Sequence, residues 1–409
     1  MAPSRPRLLF LSPLLAMPGQ HGGCVYPHGL LTELHRRGVA IDYAWLGKPL
    51  AGGRRIMRHP LQADFVQRGW VRGARPVGGL IIPSSLREFF SGADPDDAPA
   101  GEHLPTPDEQ AFAAGVIRRC GIQAVLIDGT ATLPVLDRLS SAERARLRVG
   151  VLTHNVNSRR TDLYRSHGQP LDFLPMTTAE ETALLARADV IVAIQEREAE
   201  AFRRMLPGHR VVTVPMPVRA IPQPEKSAIA GRCVFVGGFS GHNIEALQWL
   251  LRDIWPQVRA AHPAAELVVA GTVGKAVANP PPGVRLIGPL SDLGKFYAEA
   301  SVSLVPLPMG TGLKIKLVEA MGQGRAVVTT RAGAEGFAEL EEGRVAVVAD
   351  DAPAFAAAVV KLLGDPEWRR AVAARQLAWI GRQLDPEHVL APLNELWSAS
   401  KAGDAVEQS

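Results

Sequence analysis

The sequence predicts an α/β protein made of two Rossmann-like, doubly wound domains that face each other across a cleft. Three observations carry that expectation. Short β-rich apolar runs alternate with segments of helical period along most of the chain, the signature of parallel strands joined by crossover helices. The alternation stops once, at Pro215 to Gly231, where Pro215, Pro217, Pro222 and Pro224 stand among residues without apolar period, and then restarts. Finally, 409 residues are more than one hydrophobic core usually encloses, and suit two domains of roughly 150–200 residues each.

In the first half, Arg7 to Ser12, Val39 to Leu46, Gly79 to Ile82, Gln123 to Asp128, Leu147 to Thr153, Asp189 to Ile194 and Arg210 to Val214 read as buried strands. A helical pattern ending at Gly38 follows the first of them. The acidic, Pro-rich stretch from Gly92 to Gln110 reads as an exposed loop. The second half supplies strands at Cys233 to Val236, Glu266 to Ala270, Val284 to Ile287, Val302 to Val305 and Ala326 to Thr329. Its helices are expected at Asn243 to His262, Ser291 to Ala300, Leu313 to Gln323, Asp351 to Leu363, Pro366 to Gln383 and Pro386 to Ser398. The domain expectation is therefore 1–216 and 217–384, a helix at 385–400 returning toward the first domain, and a disordered tail at 401–409.

With 46% hydrophobic and 21% charged residues the chain has a core to fill and is not of disordered type. No run approaches the roughly 18 consecutive apolar residues of a membrane-spanning helix, and Leu8 to Leu11 is cut by Ser12 and Pro13, so no signal peptide is expected. Cys24, Cys120 and Cys233 lie far apart and make neither a disulfide framework nor a zinc cluster among themselves, which fits a reducing cytoplasm. Net charge is only +4, yet between Arg36 and Arg87 ten Lys and Arg face two Asp. Such a stretch is either a solvated face or an attraction to anionic lipid, giving the expectation of a peripheral position at the inner face of the cell membrane. It lacks the aromatic interleaving and recognition helix of a nucleic-acid binder, so no nucleic acid is expected as partner.

Two glycine-containing turns open the two halves in equivalent places: Pro18-Gly19-Gln20-His21-Gly22-Gly23 and Gly237-Gly238-Phe239-Ser240-Gly241-His242-Asn243. Helix N-termini at such turns hold phosphate through unpaired N–H groups, although each alone is also what a plain tight turn looks like. Neither is the GxGxxG fingerprint, so no nicotinamide or flavin cofactor is expected. The most informative segment runs from Pro306 through Met309-Gly310-Thr311-Gly312-Leu313-Lys314-Ile315-Lys316-Leu317-Val318-Glu319 to Gly324. A lysine in a first helical turn opposes the helix dipole, so Lys314 makes sense beside an anionic diphosphate. Lys316 and Glu319 project within about 60° of each other on a helix and can share one polar aperture. An internal ion pair with snorkelling lysines is the plain alternative.

This segment resembles the donor-site motif of the family 4 retaining glycosyltransferases (glycosyl transferases group 1), in the subgroup reading Gly-x-Gly-Leu/Arg-Lys-x-Lys-x-x-Glu-Ala. Val234 to Phe239, Gly288-Pro289-Leu290-Ser291-Asp292-Leu293 and Gly333-Ala334-Glu335-Gly336-Phe337 fall in that family's order. The likeness is specific over Cys233 to Phe337 and looser before it. It implies the GT-B architecture and a metal-independent, hexosyltransferase-like enzyme of polysaccharide biosynthesis. Such an enzyme moves a sugar, with retained configuration, from a nucleoside diphosphate sugar to the hydroxyl of a glycan, lipid-linked or small-molecule acceptor.

By the same resemblance, Glu319 binds the donor ribose, Lys316 neutralises the diphosphate, and Gly237 and Gly238 touch it. Gly22, Gly23, Leu290, Gly312 and Leu313 complete the donor-binding set. Val151 to Arg160 is similar to the family's strand-end histidine segment, in which His154 reaches the donor sugar from the opposite domain. A histidine capping the strand end is the structural alternative. Arg159 and Arg160 flank the acceptor or form a solvated pair. The family's first glutamate falls at Thr311 here, so sugar recognition is expected to use backbone N–H groups around Gly312 and Leu313, or another acidic group.

Other schemes lack their residues. There is no Gly-x-Ser-x-Gly elbow, no His-Glu-x-x-His and no Walker loop. Asp94-Pro95-Asp96 matches a metal-binding Asp-x-Asp only in letters, and no metal is expected. No side-chain base stands out, so the expected chemistry stabilises the departing diphosphate with Lys314, Lys316 and the glycine turns, and the leaving phosphate takes the acceptor's proton. Two alternatives stay open: a GT-B-fold nucleotide-sugar epimerase and a non-catalytic carbohydrate-binding relative.

Overall fold

The computed structural model describes residues 6–14, 22–47, 57–58, 66–71, 74–77, 80–83, 103–171, 173–290, 292–310, 312–394 and 396. Gly19, Gln20 and His21, Thr311, half of the basic stretch and the tail at 401–409 lie outside them.

The apolar runs of the first half form β1 (Arg7–Ser12), β2 (Ala40–Trp45), β3 (Met57–Arg58), β4 (Val66–Val71), β5 (Ala74–Val77), β6 (Leu80–Pro83), β7 (Ala124–Asp128), β8 (Arg148–Leu152), β9 (Val190–Ala193) and β10 (Arg210–Thr213). Seven of them make a sheet in the order β10-β9-β8-β7-β1-β2-β4, parallel at every pairing. Side chains alternate along β1, so that Leu8 and Phe10 enter one core layer while Leu9 and Leu11 enter the other. The run at Gly79 to Ile82 does not join this sheet. It becomes β6 of a small antiparallel sheet, order β3-β6-β5, and the edge position is taken by β4. The sequence Val66-Gln67-Arg68-Gly69-Trp70-Val71 shows no apolar run because an edge strand is not buried on all sides.

The second half folds into β11 (Arg232–Val236), β12 (Glu266–Ala270), β13 (Val284–Gly288), β14 (Val302–Val305), β15 (Ala326–Thr329) and β16 (Val347–Val348). Their order is β13-β12-β11-β14-β15-β16, again parallel throughout. Both sheets are doubly wound. The first reverses direction of growth between β1 and β7, the second between β11 and β14, and such switch points at the carboxyl ends of strands are where α/β proteins gather ligands.

The helices that frame these points are α1 (Gly22–Arg36), α2 (Asn157–Ser166), α3 (Glu196–Met205), α4 (Gly241–Trp249) and α5 (Ile315–Gly322). The helix expected from Asn243 to His262 is α4, a π turn at Leu250–Ile254 and a helix at Trp255–Ala261. Pro256, which offers no N–H, sits where the ladder shifts register. A helix also begins at Pro107 inside the expected acidic loop, opened by a reciprocal Thr106–Glu109 capping box.

The linker is not a plain exposed tether. Val214, Met216 and Val218 are buried in a core continuous with both sheets, and the Val218 N–H donates to the Leu384 carbonyl at 2.8 Å. Within the helix expected from Pro386, the chain is helical at Pro386–Val389, passes through a 3-10 turn at Ala391–Leu393 and is helical again at Asn394 and Leu396, and 395 and 397–400 lie outside the described residues. This segment packs on the first sheet: Arg37 donates to the Pro386 carbonyl at 2.6 Å, and a β-carbon at Gly150 of β8 would meet Leu396 at 2.9 Å.

Candidate functional site

Parallel register brings the carboxyl ends of β1, β7 and β8 side by side, and with them Ser12, Asp128 and His154. Asp128 is buried. One of its oxygens accepts from the Ser12 hydroxyl at 2.6 Å and the other meets His154 Nε2 at 2.6 Å. The Tyr26 ring of α1 stands edge-on to the imidazole, 5.7 Å between centroids. A carboxylate against Nε2 places the proton on that nitrogen and fixes the plane of the ring. Gly22 and Gly23 open α1 at the same switch point.

At the second switch point the two turns after β11 and β12 touch backbone to backbone. A β-carbon on Gly271, whose φ is +96°, would overlap the Gly237 carbonyl, which leaves room only for glycine. The N-cap of α4, Ser240, makes no side-chain capping bond. Asn243, in the first turn of α4, donates to the Gly238 carbonyl at 3.1 Å and to Ser240 Oγ at 3.0 Å. Its own carbonyl oxygen accepts from Lys316 Nζ of α5, and that ammonium lies 5.0 Å from the Phe235 ring centroid. Burial pulls Lys316 down to about 7, with Lys314 adding to the shift and Glu319 opposing it. Burial likewise pushes Glu319 up to about 7, opposed by Lys316. Three positions apart on α5, the two feel each other's charge.

Lys314 is placed differently from its expectation. It is the N-cap of α5, with φ −83° and ψ 92°, so the helical step relating Lys316 to Glu319 does not extend to it. Its buried ammonium turns under the preceding loop, donates to the Gly312 carbonyl at 2.6 Å and lies 3.8 Å from Glu335 Oε2. Burial lowers it to about 8. Leu313 is buried in the core and Leu290 packs against it half-covered.

The two halves meet through these loops. Gly312, with φ +73°, lies so close to the opposite turn that a β-carbon would stand 2.7 Å from the His154 carbonyl and 2.8 Å from Asn155 Oδ1. Tyr164 of α2 bonds His242 Nδ1 at 3.0 Å; burial, with Lys316, Lys314 and Arg160 nearby, pulls His242 down to about 3. Arg159 and Arg160 are not a solvated pair. Arg159 donates to Glu335 Oε1 at 2.6 Å across the boundary, while Arg160 lies 3.7 Å above the Phe173 ring, in a small apolar cluster shared by Tyr164, Phe173 and Met309. Arg36 and Arg68 of the basic stretch pair with Glu33 and Asp42 and Arg37 pairs with Glu387.

A cavity of about 1420 Å3 also lies between the halves, lined by Leu163, Trp249, Pro308 and Glu335 among others. Gly241 at the start of α4, Leu307 to Gly310 after β14, and Arg159 also line it, so it adjoins the second switch point without including His154, Gly237, Lys316 or Glu319. Asp128, Asn243 and Glu335 were given no role by sequence reasoning, although an acid ending the apolar run Leu126-Ile127-Asp128 is a visible signal. Among the described residues no group of three His, Cys, Asp or Glu side chains is arranged to hold a metal ion, and no helix is long and apolar enough to cross a membrane.

Comparison with known proteins gives this arrangement a context. A family model described as "Glycosyl transferases group 1" matches residues 230–365. An uncharacterized 44.6 kDa protein in the cps region of Klebsiella pneumoniae is 25% identical over 172 residues, 39% of this chain and 44% of that protein. The match thus spans less than half of that relative. Among solved structures, sucrose-phosphate synthase from Thermosynechococcus elongatus superposes with a TM-score of 0.68 over 99% of this chain and 100% of the other, at 16% identity. The pneumococcal O-GlcNAc transferase GtfA, solved with UDP and GlcNAc, gives a TM-score of 0.64 over 99% and 100% of the two chains, at 11% identity. At such identities these likenesses establish the fold. The chain has the GT-B fold of these structures, and residues 230–365 match the glycosyl transferases group 1 model.

Proposed function

We propose that the chain transfers a glycosyl group from a nucleoside diphosphate sugar to an acceptor hydroxyl, with retained anomeric configuration and without a divalent ion. One observation carries the reading: the Lys316–Asn243–Gly238 cradle stands at one switch point and the Asp128–His154 pair at the other, and Gly312, four residues before Lys316, abuts the His154 carbonyl. GtfA, with its UDP and GlcNAc, makes a UDP-sugar the first donor to test. A glycan or lipid-linked hydroxyl is the acceptor class.

In this reading the diphosphate lies on the Gly237–Gly238 turn and the N-terminus of α4, whose amides and dipole favour an anion. Lys316 neutralises it and Glu319 accepts from the ribose hydroxyls. The sugar lies beside the Gly312 backbone and against the His154 imidazole. As the bond from the anomeric carbon to the phosphate oxygen breaks, charge grows on that oxygen beside Lys316, which stabilises it most in the transition state. The acceptor oxygen forms its bond from the same face, and its proton goes to the departing phosphate. Asp128 holds the imidazole in one tautomer and one plane against the sugar. Product anomer determined by NMR tests this directly, since an inverted product would shift the role of base to the Asp128–His154 pair. Deuterium incorporation into donor without acceptor would instead favour epimerisation.

Two expectations belong here. Glu319→Gln weakens binding of the nucleotide sugar and of the free nucleoside diphosphate by the same factor, about tenfold, because ribose is common to both. A change confined to sugar discrimination, read by calorimetry, contradicts that role. The second concerns pH. Lys316 sits at about 7 through burial, and the diphosphate selects its protonated form. The ammonium is thus already present below pH 7, whereas above it binding must take up a proton. Affinity for a nucleotide sugar is expected to fall by up to about tenfold per pH unit above 7, with proton uptake visible as buffer-dependent binding heat. Lys316→Ala flattens the profile. Affinity that stays level or rises above pH 7 in the wild-type protein contradicts the assignment.

A further inference from the structure

Glu335 follows β15 and lies on the boundary between the halves, and three cations from three places converge on it. Arg159 of α2 and Arg197 of α3 approach Oε1 at 2.6 and 3.1 Å from the first half, and Lys314 approaches Oε2 at 3.8 Å from the second. The Arg159 and Arg197 side chains keep 40% and 50% of their surface exposed, Lys314 only 8%. The Lys314 ammonium then holds the Gly312 carbonyl. Gly312 itself abuts the His154 carbonyl. A continuous line of charge-assisted contacts therefore runs from α2 and α3 through Glu335 and Lys314, and ends on the turn between β14 and α5. Beside this line the backbone is fitted closely, for a β-carbon on Gly336, at φ +113°, would overlap the Gln195 amide. Of the other carboxyls that act on Lys314, Glu198 is pushed up to about 8 by burial and Glu341 acts less than either, so the ion pair here is with Glu335. A buried ammonium without a carboxylate partner is disfavoured and tends to lose its proton, and the charge-assisted bond to the Gly312 carbonyl weakens with it.

We propose that Glu335 is a positioning residue for glycosyl transfer. It couples the approach of the two halves to the position of the Gly312 backbone, and so to the backbone groups that grip the donor sugar. The proposal rests on the reading above, in which that backbone faces the sugar. It differs from a merely structural ion pair in what it leaves alone: nucleotide binding at Gly238, Asn243 and Lys316 lies outside the line of contacts.

Two measurements on the full chain test it. In Glu335→Gln, hydrogen exchange of the ligand-free protein is expected to rise about tenfold in segment 306–317. With a saturating nucleotide sugar, kcat is expected to fall about tenfold while the Kd for the matching nucleoside diphosphate, drawn from UDP, GDP, ADP and dTDP, stays within about twofold. Glu335→Asp recovers part of the loss. Unchanged exchange in that segment overturns the coupling, and unchanged kcat overturns the positioning role. So does a loss of nucleotide affinity equal to the loss in kcat. If Glu335→Gln does not fold, the Arg159→Gln/Arg197→Gln double variant cuts Glu335 off from the first half while Lys314 keeps its carboxylate; exchange in the segment and kcat are then expected to change in the same directions by smaller factors, and no change in either overturns the coupling. A wild-type protein that binds no nucleoside diphosphate while Glu335→Gln still loosens the segment would remove the glycosyl-transfer reading and leave the coupling standing.

Discussion

Lys316→Ala is expected to lower kcat roughly 10²–10³-fold, about 2.7–4 kcal/mol of transition-state stabilisation, and to raise donor KM by a smaller factor. The asymmetry follows from where the ammonium sits. It is held by Asn243, one helical turn from the Gly238 carbonyl, and is drawn down to about 7 by burial. A weakly solvated cation interacts more strongly with charge that develops than with charge already spread over a diphosphate. Lys316→Arg keeps the charge but not the fit to Asn243, and should fall between the two. Equal kcat/KM in wild type and Lys316→Ala, with any donor that the enzyme accepts, contradicts the cradle.

Across the cleft, His154→Ala is expected to lower kcat about 10²-fold, and Asp128→Asn about tenfold, with nucleoside diphosphate affinity unchanged in both. Asparagine at position 128 can still contact the imidazole, yet it no longer selects the Nε2–H tautomer that the carboxylate selects at 2.6 Å. The pair should therefore be non-additive, the double variant losing no more than His154→Ala alone. Full additivity would mean that Asp128 acts elsewhere, for instance through its bond with Ser12. Thermal unfolding of each variant separates loss of fold from loss of orientation.

Much of the fold was legible because parallel strands covered on both faces announce themselves as apolar runs. β1, β2, β7 to β10 and β11 to β15 all lie where such runs stand. β4 is not announced because an edge strand need not be apolar, and in the C-terminal helical segment the 3-10 turn at Ala391–Leu393 is not visible as a change of period. Within the site, the glycine turns and the Lys316–Glu319 spacing were visible because both are local. Lys314 was misplaced for a local reason as well, since a residue at an N-cap does not share the helical angle of the residues after it. What stayed hidden was partnership at long range. Asp128 meets His154 across 26 positions, Asn243 meets Lys316 across 73, and Arg159 meets Glu335 across 176. Those contacts are created by strand order, which a single sequence does not display.

The most direct test of the account is a screen of UDP-, GDP-, ADP- and dTDP-sugars by saturation-transfer NMR, followed by slow hydrolysis of whichever binds, in wild type and Lys316→Ala. The account predicts that one nucleotide sugar shows transfer to its ribose protons, that it is hydrolysed slowly with retained configuration, and that Lys316→Ala abolishes most of the hydrolysis. Absence of saturation transfer from every nucleotide sugar to the wild-type protein, or hydrolysis at the same rate in both proteins, would contradict it.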